Sequence, residues 1–409
     1  MDALMLRRRM MMAQAGGGSI DYTLLPLTFK CITGGNLSIK NENTSWDRNF
    51  EYSLNNGAWT AFSLPKSSGV LLIATLSPGD TISFRRDNDN FYQAQFVSDS
   101  SLTFDIYGNL LSLQYGSAFN GQTALRNTSK QAFGYTFKGT NVVDASNLKV
   151  TAPTLSSSCY QYMFQNCALM ESAPELPATT LASYCYRGMF WGCNSLTAIP
   201  SVLPAATLQQ NCYQDMFRYC SSLTSAPEIS ATTLALNCCY AMFYGCSALT
   251  AAPALHATTM VDTCYREMFY GCTALVNAPS LPATTLASDC YRSMFYGCSN
   301  LTVTPELPAT TLANNCYYEM FRNCTALTAA PELKAATLVS SCYAYMFTAC
   351  SQLSYVKCLA TDISASGCTG NWLASVSATG TFVKAASMSG WARNGNGIPA
   401  DWAIIDATD

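Results

Sequence analysis

Twenty cysteines in a chain of 409 residues are the first chemistry to account for. Sixteen of them form eight pairs, Cys159/Cys167, Cys185/Cys193, Cys212/Cys220, Cys238/Cys246, Cys264/Cys272, Cys290/Cys298, Cys316/Cys324 and Cys342/Cys350. Thiols cross-link, hold zinc, or fill a core as small apolar groups. Two cysteines eight apart on one helix face lie about 12 Å apart, too far for a bond. Equivalent cysteines on stacked repeats come closer, so bridges between repeats stay open. Cys-x-x-Cys pairs of the zinc type are absent. The pattern favours buried reduced thiols, with disulfides second and metal last.

Other reactive groups are sparse. The one histidine, His256, stands where sister repeats carry Pro or Lys and reads as surface decoration. No phosphate-cradling glycine loop and no nucleophile elbow occurs. Arg85-Arg86-Asp87-Asn88-Asp89-Asn90 has oxygens for calcium but lacks the loop spacing, so a solvated turn is expected. No catalytic residue, cofactor or metal is therefore expected.

The better chemical signal is recognition. Arg187 and Trp191, Arg266 and Tyr270, and Arg292 and Tyr296 stand four apart inside otherwise constant motifs. Tyr240 and Tyr244, and Tyr318 and Arg322, fill the same slots. On a short helix such pairs face one way, opposite the Cys–Met–Cys face. Stacked, they make a row of rings and guanidiniums. Rings stack on sugars, and Arg grips carboxylates through two parallel hydrogen bonds. The plainer reading is a local cation–π pair within each repeat.

What positions these residues is a repeat. Cys-Tyr-x-x-Met-Phe-x-x-Cys recurs every 26 residues, with one step of 27 and with Cys239 replacing Tyr once. Cys290, Met294 and Cys298 then share one face of a short helix. Thr284 or Thr285 can cap its start, and Gly297 suits a left-handed end. Leu301–Val303 reads as a short strand, which Pro305 and Pro308 terminate. One such unit cannot bury its own apolar face, but stacked units can. The expected fold is thus a solenoid of 26-residue strand-turn-helix units, preceded by a small β-sandwich, and the resemblance described next makes that solenoid leucine-rich-repeat-like. Degenerate units keep the register at both ends. Phe133, Phe137 and Leu155 stand for Cys159, Met163 and Leu181, while Cys368, Trp372 and Leu373 stand for Cys342, Met346 and Phe347.

The phrase Met-Phe-x-Gly-Cys-x-x-Leu, as in Met268–Leu275 and Met294–Leu301, resembles the core of BspA-type leucine-rich repeats. The resemblance covers about residues 133–380. It implies a solenoid of the kind found in surface adhesion and recognition proteins. The Leu-Pro-Ala-Thr-Thr-Leu phrase and the extra cysteine before each Tyr depart from that family. This variant resembles repeat proteins of gut Bacteroidales and their phages.

Residues 20–115 carry no repeat and alternate β-favouring runs with turn signals. Asn55-Asn56-Gly57 predicts a hairpin between Phe50–Leu54 and Trp59–Phe62. Further strands are expected at Val70–Leu76, Thr81–Arg86, Phe91–Val97 and Leu102–Tyr107. The division expected is an attachment segment with a glycine linker (1–19), a β-sandwich (20–115), a linker with a degenerate capping repeat (116–158), eight repeats (159–357) and a C-terminal cap (358–409).

Charged residues are only 11%, against roughly 25% in an average soluble domain. Net charge is −3, with no basic face for nucleic acid. No run of about 18 apolar residues could span a membrane. The start resembles a signal peptide, but its apolar stretch after Arg9 is too short. The expectation is a non-enzymatic binding or structural protein, foremost a phage virion fibre or decoration recognising a bacterial surface glycan or protein. Arg7, Arg8 and Arg9 would attach it to other virion proteins, and a homotrimer is the expected assembly. The alternatives are a bacterial cell-surface adhesin and a purely structural virion collar.

Overall fold

The computed structural model describes residues 20–41, 47–66, 69–87, 94–126, 131–394 and 396–408. Arg7, Arg8 and Arg9 lie outside the described residues, as do Asn88, Asp89 and Asn90. The chain forms two compact units, one ending at Leu203 and one beginning at Pro204. The division falls within the repeat run.

In the first unit, β1 (Leu27–Thr33) pairs antiparallel with both β6 (Thr81–Arg85) and β8 (Thr103–Asn109). β3 (Arg48–Leu54) joins β6 to β4 (Thr60–Leu64). A second sheet places β2 (Gly35–Asn41) between β5 (Val70–Leu76) and β7 (Ala94–Ser98). The predicted hairpin is β3–β4. Asn55 and Asn56 take φ of 50° and 57°, the left-handed pair of a tight turn closed by the Gly57 amide on the Leu54 carbonyl, and the connection runs on to Thr60, which pairs with Tyr52. The sheets meet through aromatic rings. Phe96 of β7 lies 4.8 Å from Phe29 and 4.9 Å from Phe84, all three buried.

That core runs on into the repeats. Phe96 stacks on Phe137 at 5.7 Å, and Phe137 on Phe164 at 5.2 Å. The backbone is continuous as well, since β9 (Leu148–Lys149) pairs parallel with β8. The degenerate turn thereby covers a sheet edge that would otherwise expose unpaired amides. Gly108 is required at this junction. Its φ is +91°, and a Cβ there would lie 2.0 Å from the Pro26 carbonyl oxygen.

The repeats form a β-solenoid with a 26-residue period and almost no helix. The single α-helix among the described residues, α1 (Ser112–Tyr115), lies outside them. The helical part of the expected strand-turn-helix unit is therefore corrected. Regular pairing between successive turns shrinks to single parallel bridges, such as Asn277 with Val303 and Thr285 with Thr311. Longer strands are scarce, with β10 (Val202–Leu203) and β11 (Glu228–Ile229) only two residues each.

The segment taken for a helix has its own hydrogen-bond logic. In one turn, the amides of Arg266, Met268 and Tyr270 donate three residues back, to Thr263, Tyr265 and Glu267. The alternate amides of Tyr265, Glu267 and Phe269 donate instead to Cys290, Arg292 and Met294 on the next turn, at 2.9–3.1 Å. An α-helix would consume every amide internally and leave none for the neighbour. Every fourth residue is left-handed, as at Thr263 (φ 59°), Glu267 (56°) and Gly271 (69°). Non-glycine residues so placed cost roughly 1–2 kcal/mol each, offset here by the bonds between turns. Gly297 is left-handed as expected, at +73°, but it closes this turn and not a helix.

Cys, Tyr, Met, Phe and Cys of each motif still face inward and are buried. Stacking puts like on like. Phe217, Phe243, Phe269, Phe295, Phe321 and Phe347 form a ladder with centroids 5.5–5.7 Å apart. The closing cysteine has a specific role. Its thiol donates to the carbonyl of the Phe one turn earlier, as from Cys298 to Phe269 and from Cys324 to Phe295, both at 3.1 Å. All twenty cysteines are buried free thiols.

At the C-terminal end, β12 (Tyr355–Cys358), β13 (Gly380–Lys384) and β14 (Trp402–Asp406) form a parallel sheet. Trp372 stacks on Tyr343 and on Trp391, and its Nε1 donates to the Gly397 carbonyl at 2.8 Å. The tryptophans cover the core where the repeat pattern stops.

Candidate functional site: an arginine-capped tyrosine ladder

The residue six positions after each opening cysteine points outward from the ladder of buried rings. In the second unit that column reads Arg218, Tyr244, Tyr270, Tyr296, Arg322. Its tyrosines stack face to face, 4.4 Å between centroids, with planes 3° and 7° apart. The Arg218 guanidinium lies 4.0 Å from the Tyr244 ring, and Arg322 lies 5.6 Å from Tyr296. Three rings are thus capped by a cation at each end, which the negative ring faces favour. Gly245, Gly271 and Gly297 follow these tyrosines, all with φ near +70°.

A second column lies two residues after the opening cysteine. Arg266 sits 5.5 Å from the Tyr240 ring, and Arg292 sits 4.6 Å from Tyr318. Carboxylates knit the columns. Glu267 accepts from the Tyr240 hydroxyl at 3.2 Å and from Arg266 Nε at 3.1 Å. Asp215 binds Arg218, Asp289 binds Arg292, and Glu319 binds Arg322. The Arg292 and Arg322 pairs keep some solvent contact and add roughly 1 kcal/mol or less each, whereas Asp215 is buried beneath Arg218. Their main effect is to fix the guanidiniums over the rings.

This changes the expected chemistry in two ways. The residues four apart within a motif do not pair on a helix face. They stack between turns, as Tyr270 does with Tyr244 and Tyr296. The ring faces are also covered by one another, so the ladder presents ring edges and hydroxyls. Burial, and then the Tyr296 and Tyr244 phenols, push the Tyr270 hydroxyl above its usual range. It stays protonated and able to donate.

In the first unit, Arg187 lies 5.7 Å from both Tyr162 and Tyr184, and Tyr162 is 6.2 Å from Trp191. Gly188 makes room for this cluster. Its φ is +56°, and a Cβ would lie 2.3 Å from the Tyr162 ring. Gly188→Ala is expected to displace Tyr162 and to destabilise by about 1–2 kcal/mol or more, read as a lower denaturation midpoint. An unchanged midpoint would mean that Tyr162 swings away freely.

Sequence reasoning missed Arg218, although counting six from Cys212 finds it. It also missed the carboxylates three after the cysteine, Asp215, Glu267 and Glu319. His256 is exposed, as expected of a loop position. Of the acidic turn, Asp87 is held by Arg126, and Arg85 pairs with Glu51 and covers Trp59. Among the described residues no helix is long and apolar enough to cross a membrane.

Compared with protein-family models, with curated proteins and with solved structures, the chain matches none. The class its own fold defines is a β-solenoid repeat protein with repeats of about 26 residues.

Proposed function

We propose that this is a non-enzymatic recognition protein whose solenoid displays the arginine-capped tyrosine ladder to a bacterial surface glycan or protein. The observation that carries the reading is the ladder itself. Five successive turns hold aromatic or guanidinium groups at one outward slot, pre-ordered by stacking and ion pairs. Ordered side chains lose little entropy on binding, which favours recognition by a fixed surface. The motif resemblance to BspA-type repeats supports the same class of role. In the fuller form of the proposal the chain is a phage virion fibre or decoration, attached through Arg7–Arg9 and assembled as a trimer.

The test is binding of the purified chain to intact Bacteroidales cells and to their extracted surface polysaccharide. The expected result is saturable binding that Tyr244→Ala, Tyr270→Ala and Tyr296→Ala together weaken at least about tenfold. An unchanged melting profile would show that the variant still folds. Wild-type binding that survives the triple substitution would move the site elsewhere.

One observation favours a second reading, a structural collar without a ligand. The tyrosine faces contact each other, and the arginines already hold carboxylates. On that reading wild-type protein binds neither cells nor polysaccharide.

A further inference from the structure

A groove of about 370 Å³ opens on the outer face of the first unit, where β1 and β8 meet the degenerate turn. Register explains its lining. Lys30 of β1 stands opposite Asp105 of β8, so both point to one face. Tyr107, two residues further along β8, shares that face. The Ile106 amide donates to the Asp144 carbonyl, which brings Asp144 alongside. Asn147 follows on the same turn, and Tyr22 closes the far side edge-on to Tyr107 at 5.5 Å.

Two features make this more than a dent. Its aromatic wall adjoins a polar row, the combination that fits a ligand with an apolar ring face and hydroxyl edges. Moreover, Asp105 lines the groove as a carboxylate that feels the Lys30 ammonium and accepts from the Asp144 backbone amide, with acceptor sites left over for a ligand. Burial first, and then the Asp144 carboxylate, raise its pKa. A half-buried carboxylate in that position gains from hydroxyl donors. Tyr107, its own pKa pushed up to about 12 by burial and then by Tyr22, remains a neutral donor.

We propose that this groove binds a neutral pyranose unit, its ring against Tyr107 and Tyr22 and its hydroxyls donating to Asp105 and Asp144. This site is separate from the tyrosine ladder and does not depend on the role proposed for it. Asn147 supplies both a donor and an acceptor at the groove floor, and Lys30 stands at the exposed rim.

Saturation-transfer NMR on the full chain tests the proposal with the methyl pyranosides of glucose, galactose and mannose. At least one is expected to give signal that Asp105→Asn, which keeps the shape, weakens about tenfold to a hundredfold. Signal that Asp105→Asn weakens belongs to the groove, and signal that only the triple Tyr244→Ala, Tyr270→Ala, Tyr296→Ala substitution weakens belongs to the ladder, so failure of the ladder and failure of the groove are read separately. Melting curves confirm that each variant folds. Absence of signal from all three sugars overturns the proposal, as does signal that Asp105→Asn leaves intact. Saturation-transfer signal from ethanolamine, lost in Asp105→Asn, while the sugars give none would show a cation site instead, and would also overturn it.

Discussion

Phe295→Ala is expected to cost about 3–5 kcal/mol, the range for removing a fully buried aromatic ring from a packed core. Phe295 is fully buried between Phe269 and Phe321, 5.7 and 5.6 Å away. Both neighbours lose a stacking partner, and the turns cannot close the gap without breaking the amide bonds that set their spacing. The adjacent Tyr296→Ala is the control. Tyr296 is half-buried on the outer face, so its loss is expected to cost under about 1.5 kcal/mol. The two substitutions are compared by denaturant unfolding and by hydrogen exchange of the surrounding turns. Equal costs would mean that the inner ladder does not carry the stability argued for it.

The second large effect concerns the thiols. Burial pushes Cys246 up to about 12, against 9.0 for an ordinary thiol, and Cys159, Cys167, Cys350 and Cys358 behave alike. Three units correspond to about a thousandfold less thiolate near pH 8. These five cysteines are therefore expected to react with iodoacetamide about a thousandfold more slowly in the native protein than a free thiol does, with all twenty sites labelling once denatured. The linkage has a definite sign. The folded pKa is raised, so the neutral thiol's stabilising contribution is whole below pH 9 and lost as pH climbs from about 9 to 12. Each such buried thiol removes up to about 1.4 kcal/mol per pH unit in that window. Steep alkaline unfolding beginning just above pH 9 is the expected result. Rapid native labelling of these five, or stability that is flat to pH 11, would contradict this burial.

Several features follow from residue types that have few physical alternatives. Asn55-Asn56-Gly57 marks the reversal because Asn takes the left-handed conformation that lets the Gly57 amide reach the Leu54 carbonyl, after which β3 and β4 pair from Tyr52 and Thr60. Cys, Met and Phe at a fixed period could be buried only by stacking, and Trp372 and Trp391 fell where such a stack needs an end. The neutral, oddly abundant cysteines became intelligible once the closing thiol met the Phe carbonyl of the previous turn.

Other features lay beyond a one-dimensional reading. Buried residues at i, i+1, i+4 and i+5 suit a helix face as well as a hydrogen-bonded turn ladder, so periodicity alone could not separate them. The choice rests on where the alternate amides go, and their acceptors are 25 residues away on another turn. The candidate site follows the same rule. Arg218, Tyr244, Tyr270, Tyr296 and Arg322 are each unremarkable in their own motif. Local spacing pairs Tyr270 with Arg266, four residues back, whereas stacking pairs it with Tyr244 and Tyr296, 26 residues away on either side. The sequence by itself determined the repeat, its buried faces and its capped ends, because burial preferences are written in residue type and spacing. The tertiary structure alone decided the backbone conformation and the order of the outer side chains, because both depend on contacts between turns.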